Sequence, residues 1–249
     1  MTVHFIGAGP GAADLLTLRA VRLIESSQVC IYAGTYIDDQ ILAHCPPGAT
    51  LIDSQNLDLD QITGHLVAGH QRGEDVARLC SGDPSIYSAL AEQTRRLDKA
   101  GVSWDVTPGV PAYAAAAAII GRELTVPELA QTVILTRTQA ASTVMPDTES
   151  LGYLAKTRAT MIIHLAIRRI HQICTDLIPA YGPDCPVAVV ANASQPAELV
   201  LRGTLATIAD EVEDAGLRQA AVIMVGEALY AGEFVESHLY GKRNRPRQR

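Results

Sequence analysis

The sequence predicts an α/β protein built as two α/β domains, and three observations carry that prediction. Short apolar runs alternate with longer stretches whose apolar residues recur at helical spacing. Glycine and proline cluster directly after three of the runs, where the strands of an open sheet hand over to loops. The chain then changes character at residues 122–129, just after Gly121 breaks an alanine-rich helical stretch. Domains over 1–120 and 121–241 are therefore expected, with a basic, disordered tail at 242–249.

Taken in order, Val3 to Ile6 reads as a strand, Asp14 to Ser26 as a helix, Val29 to Tyr32 as a strand and Ile37 to Ala43 as a helix. Leu51-Ile52 is a short strand. The spacing of Ile62, Leu66 and Val67 predicts a helix over Leu59 to Gln71. A strand follows at Val76 to Leu79, then a helix from Ile86 to Ala100, a strand from Ser103 to Val106 and a helix from Ala112 to Ile120. The second half gives strands at Thr132 to Thr136, Thr160 to Leu165, Pro186 to Ala191 and Ala221 to Val225, with a hairpin-like strand at residues 201–205. Helices are expected at Ser150 to Lys156, Ile167 to Tyr181 and Thr207 to Ala215.

With 249 residues, 48% of them apolar, the chain can build two cores of ordinary size. No apolar run reaches the roughly 20 residues that span a bilayer, and the start lacks a basic, signal-like segment, so a cytoplasmic protein without a membrane partner is expected. The five cysteines are scattered and in no metal-ligand spacing, which predicts reduced thiols and no metal site. His164, inside an apolar run, is expected to be structural or to line a pocket. Net charge is −7, and the last eight residues hold five cations, leaving about −12 on residues 1–241. Nucleic acid is a poor partner for such a body.

Chemistry is expected at three loops, Gly7-Ala8-Gly9-Pro10-Gly11, Ser81-Gly82-Asp83-Pro84 and Thr107-Pro108-Gly109-Val110-Pro111, each beyond the carboxyl end of a strand. The first formally satisfies a dinucleotide fingerprint, but Pro10 lacks an N–H and the second strand ends without the ribose-binding carboxylate. No Gly-Lys-Ser/Thr follows for a nucleoside triphosphate, and no nucleophile elbow or HExxH supports hydrolysis. Asp83, between Gly82 and Pro84, either caps a helix beginning near Ser85 or shapes a pocket for a ligand bearing amine or hydroxyl donors.

These loops, in the forms FIGAGPGAADLLTLRAVRLI, CSGDPSIY and TPGVPAYAAAAA, stand in register with ELTVPELAQTVILTR and PVAVVANASQPAE. Together they resemble the tetrapyrrole, or cobalamin-precorrin, methyltransferases over residues 3 to about 229. The resemblance implies the tetrapyrrole methylase fold, a homodimer, and an active site in an interdomain cleft holding S-adenosylmethionine, released as S-adenosylhomocysteine. VCIYAGTYID followed by ELTVPELAQTVILTR is most similar to the branch that methylates ring carbon 11 of precorrin-4, giving precorrin-5 on the route to vitamin B12. Alternatives are another ring carbon of a precorrin, uroporphyrinogen III, a diphthamide precursor, or binding of tetrapyrrole and donor without catalysis.

Carried over residue by residue, the resemblance places Pro10 at the tetrapyrrole and Gly82, Asp83, Ile86 and Ala112 at the donor. It adds Leu165 and Ala193 from the second domain, with Val225 and Gly226 near the adenosine. The substrate's carboxylates call for bidentate arginines. Arg137 is the first candidate, followed by Arg19, Arg122 and Lys156, with Arg168 and Arg169 able to substitute; Tyr113 would stack or hydrogen-bond beside them. In two places the sequence departs from the branch: Gln139-Ala140-Ala141-Ser142 stands where a Gly-Arg pair is usual, and Gln195 and Ala197 replace aromatic and acidic residues.

Overall fold

A computed structural model describes residues 1–139, 144–230, 232 and 234. The chain divides into two compact units, Met1–Ala115 with Asn192–Ala197, and Ala116–Ala191 with the residues from Glu198 onward. Residues 140–142 of the departure at Gln139 and the basic tail lie outside the described residues.

The first unit is built on one sheet of β1 (Val3–Gly7), β2 (Val29–Tyr32), β3 (Thr50–Asp53), β4 (Val76–Cys80) and β5 (Trp104–Thr107), in the order β3-β2-β4-β1-β5. Every pair is parallel. The period-two pleat sends Val3, Phe5, Val29, Ile31 and Val76 to the face that packs Ile62 and Leu66 of α3 (Leu59–Gln71) and Leu97 of α4 (Leu90–Lys99). Ile6, Cys30, Ala77 and Leu79 face the other way, against Ala20 and Ile24 of α1 (Leu18–Ser26) and Ile41 of α2 (Asp39–Leu42). Because both faces are covered, these strands read as continuous apolar runs.

Local chemistry sets the helix starts. α3 begins where a capping box requires it: Asp58 accepts the Gln61 N–H at 2.8 Å and the Gln61 side chain accepts the Asp58 N–H at 3.0 Å. The helix expected from Asp14 is instead a 3-10 turn at Ala13–Leu15 followed by α1, because Thr17 is extended and caps Ala20 N–H. The helix expected from Ile86 starts only at Leu90. Tyr87 and Ala89 are both left-handed, with φ of 54° and 55°, which no helix tolerates.

The second unit holds β6 (Val133–Arg137), β7 (Thr160–His164), β8 (Pro186–Ala191), β9 (Leu199–Thr204) and β10 (Ala221–Val225), in the order β6-β7-β10-β8-β9. β6 and β7 are parallel, whereas β10 runs against both β7 and β8, and β9 against β8. Met161, Ile163, Val187, Val189, Ile223 and Val225 meet Ile173 and Leu177 of α7 (Ile170–Tyr181) and Ile208 and Val212 of α8 (Ile208–Asp214). The Tyr181 hydroxyl ties the end of α7 to Ala159 O at 2.6 Å. The alanine-rich helix α5 (Ala112–Ile120) carries the chain from the first unit into the second.

Candidate active site

The three Gly/Pro loops of the first unit are fused backbone to backbone at the carboxyl edge of its sheet. Gly9 N–H donates to Gly82 O at 3.2 Å and Gly82 N–H returns a bond to Gly9 O at 2.7 Å, while Ala8 N–H reaches Cys80 O at 2.8 Å. A Cβ at Gly109 would stand 2.3 Å from Gly82 O and 2.7 Å from Gly7 C, so only glycine permits this approach. Gly82 itself is left-handed at φ +69°. A Cβ there would come within 3.5 Å of Ala112 N, so a strip of bare backbone runs between the β4 loop and the start of α5.

Asp83 locks this assembly, and it does not cap a helix at Ser85. Its Oδ1 accepts the Ser85 N–H at 2.8 Å and the Ser85 hydroxyl, and its Oδ2 accepts the Gly109 N–H of the neighbouring loop at 2.8 Å. Burial pushes the carboxyl pKa up, but the three hydrogen bonds outweigh it and hold the group below its ordinary value. Ile86 follows, half-buried, its N–H on Asp83 O at 3.3 Å. Ala112 and Tyr113 open α5 and are half-buried.

The loop Asn192–Ala197 belongs with these residues and not with the unit that precedes it in sequence. Ser194 Oγ accepts the Ala12 N–H at 3.1 Å, and Gln195 Nε2 donates to Pro10 O at 3.2 Å. Ala193 is buried between the left-handed Asn192 and Ser194. Sequence reasoning assigned Ala193 to the second domain by chain order; these tethers are long-range and invisible to it.

In the second unit, Leu165 follows β7 with φ +54° and is 72% exposed, an unusual conformation and exposure for a leucine. Arg137 ends β6 beside His164, its guanidinium donating to Thr138 O at 3.3 Å. Burial holds the His164 imidazole below its ordinary pKa. Register puts Ala191 opposite both Ala221 and Leu199, so the carboxyl ends of β6, β7 and β8 share one end of the sheet with the amino ends of β9 and β10. The left-handed Leu165, Asn192 and Ala220 all border that end.

Val225 and Gly226 do not. Val225 lies opposite Met161 and Val187, and a Cβ on Gly226 would stand 3.2 Å from Thr160 Cα, at the beginning of β7. They lie at the opposite end of the sheet from Leu165, because β10 is antiparallel to β7. Ala221, half-buried at the amino end of β10, stands at the Leu165 end instead, and strand direction leaves no periodicity by which sequence could have found this. The remaining basic candidates are dispersed. Arg19 and Arg122 are exposed, Lys156 sits over the Tyr153 ring, Arg168 donates to Arg218 O at 2.9 Å, and Arg169 donates to Gln139 O. Among the described residues no cluster of three histidine, cysteine or carboxylate side chains could hold a metal ion.

Two α/β units with glycine-rich loops fused at the edge of a parallel sheet match a known architecture, and residues 2–209 match the profile of the Tetrapyrrole (Corrin/Porphyrin) Methylases. The chain belongs to that family. It is 57% identical over 240 residues to the precorrin-4 C(11)-methyltransferase of Rhodococcus erythropolis, covering 96% of each chain. An X-ray structure of a cobalt precorrin-4 methyltransferase superposes with a TM-score of 0.88 at 35% identity, over 92% of this chain and 95% of that one. Uroporphyrin-III C-methyltransferase from Thermus thermophilus, complexed with S-adenosyl homocysteine, gives 0.77 at 27% identity, over 92% and 99%.

Proposed function

We propose that the protein transfers a methyl group from S-adenosylmethionine to ring carbon 11 of precorrin-4, giving precorrin-5 in cobalamin biosynthesis. The observation that carries this reading is near full-length identity of 57% to a precorrin-4 C(11)-methyltransferase. The higher identity to that relative than to the cobalt precorrin-4 enzyme of known structure favours the metal-free macrocycle.

The residues of the fused loops fit the donor. The bare strip beside Gly82 admits a ligand against backbone, the ionised Asp83 attracts its cationic groups, and the amino end of α5 favours its carboxylate. Gly82, Asp83, Ile86 and Ala112 hold the donor in this reading, together with Ala193. When bound, S-adenosylmethionine supplies an electrophilic methyl group carried on a sulfonium.

The protein's work is placement. Holding reacting atoms roughly 3 to 3.5 Å apart and aligned contributes on the order of 7 to 11 kcal/mol, and fused loops that cannot relax are suited to it. Arg137 takes a substrate carboxylate in this reading. The macrocycle's conjugated nitrogens push electron density to the accepting carbon, so no strong protein base is called for. The enzyme acts as a cytoplasmic homodimer, and sedimentation of the purified protein tests that part.

The decisive assay incubates the protein with methyl-labelled donor and, in separate arms, metal-free precorrin-4, cobalt-precorrin-4 and uroporphyrinogen III, followed by mass and NMR analysis. Label at carbon 11 of the metal-free product is expected. Label at another carbon, or donor binding without transfer in any arm, would overturn the proposal.

A further inference from the structure

We infer that Gln93 is a positioning residue for the methyl donor, its buried amide joining the Arg78 guanidinium to the strained backbone between β4 and α4. Arg78 stands in the middle of β4 at 8% exposure, and Gln93 lies in the first turn of α4 at 1%. The guanidinium donates to neutral oxygens: Gln93 Oε1 at 3.2 Å, Ser54 Oγ at 3.1 Å and Ile31 O at 3.4 Å. From its other end the Gln93 amide donates through Nε2 to Ser88 O at 3.2 Å and Ala89 O at 3.1 Å.

The orientation of that amide is dictated. A guanidinium only donates and a carbonyl only accepts, so Oε1 must face Arg78 and Nε2 must face the loop. The two carbonyls belong to the stretch in which Tyr87 and Ala89 are left-handed, a conformation that persists only where surroundings enforce it. Gln93 supplies that enforcement from the core. Its two halves therefore have separable consequences: the oxygen satisfies a buried cation and serves folding, while the nitrogen holds the loop and serves the ligand. The inference rests on the reading of residues 82–86 as the donor loop.

Gln93→Glu separates the two. It leaves an acceptor for Arg78, now an ionic one, and withdraws both N–H groups from the loop carbonyls. A smaller fall in thermal midpoint than in Gln93→Met is expected, because Arg78 keeps an acceptor, with affinity for S-adenosylhomocysteine, measured by calorimetry, reduced about tenfold or more for two lost hydrogen bonds. Gln93→Met, lacking both halves, loses stability and affinity together. Adding Ala89→Gly to Gln93→Glu restores part of the affinity, since glycine adopts the left-handed conformation without enforcement. Should Gln93→Glu not fold, Gln93→Asn, one methylene too short to bridge both sides, is expected to show the same loss of affinity.

Ile86→Asp, in the loop itself, keeps the inference apart from the reading beneath it. Weakened binding in Ile86→Asp with parental binding in Gln93→Glu or its Asn substitute would remove the role of Gln93 and leave the donor loop standing. Parental binding in both would remove the loop assignment and the inference with it.

Discussion

The two sheets differ in a way that decides how much of each can be read from chain order. In the first unit all five strands run the same way, so every loop that follows a strand arrives at one edge, where Gly9, Gly82 and Gly109 meet. In the second unit β10 is reversed, and the ends of successive apolar runs are divided between two edges. The rule that ligands gather beyond the carboxyl ends of strands is a rule about parallel sheets. It brings the loop of Gly82 and Asp83 to the shared edge of the first sheet, whereas Val225 and Gly226 follow a reversed strand and lie at the opposite end of the second sheet from Leu165.

The sharpest way to break this contrast is at Gly109. A Cβ there would press on Gly82 O and on Gly7, both backbone, which cannot swing aside. Gly109→Ala should cost about 1 to 3 kcal/mol of stability by overpacking and abolish measurable S-adenosylhomocysteine binding in calorimetry. Parental affinity would mean that the fused loops are not the donor site.

A paired comparison tests the two edges of the second sheet. Leu165→Gly relieves a left-handed leucine, so denaturant titration should find stability unchanged or raised by about 1 kcal/mol. Gly226→Ala should do the opposite, losing about 1 to 3 kcal/mol against Thr160 while leaving donor affinity alone. A reversed pattern would contradict the strain at Leu165 and the close contact at Gly226.

Arg137→Ala should raise KM for the tetrapyrrole about tenfold, the loss of one charge-assisted contact, and leave KM for the donor nearly unchanged. Equal small effects on both would remove Arg137 from the substrate's surroundings. The smallest effect belongs to Asp83. Its folded carboxyl titrates below the ordinary 3.8, so its contribution is present above that value and is lost as pH falls through the lower folded value. Asp83→Asn should therefore flatten the acid limb of a stability profile below about pH 4 and leave the neutral region's slope unchanged; an unaltered acid limb would show that the Ser85 and Gly109 bonds do not bias its ionisation.

What sequence reveals here is what local chemistry dictates. α3 was legible in the helical spacing of Ile62, Leu66 and Val67, and β8 and β10 were legible as bounded apolar runs. The late start of α4 was hidden because Tyr87 and Ala89 are left-handed, which nothing in the residue pattern from Ile86 to Ala100 announces. The tether from Gln195 to Pro10 spans 185 positions and was equally out of reach. The three loop motifs were visible as glycine and proline clusters. Their fusion into one wall depends on which strands are neighbours, since β1 lies between β4 and β5.

The central claim is that the fused loops of the first unit hold the donor. Hydrogen exchange of the whole protein, followed by mass spectrometry with and without S-adenosylhomocysteine, tests it directly. The expected result is slowed exchange in the peptides covering residues 80–90 and 107–114, with the peptide covering 225–228 unchanged. Protection confined to 225–228, or none across 80–90, would contradict it.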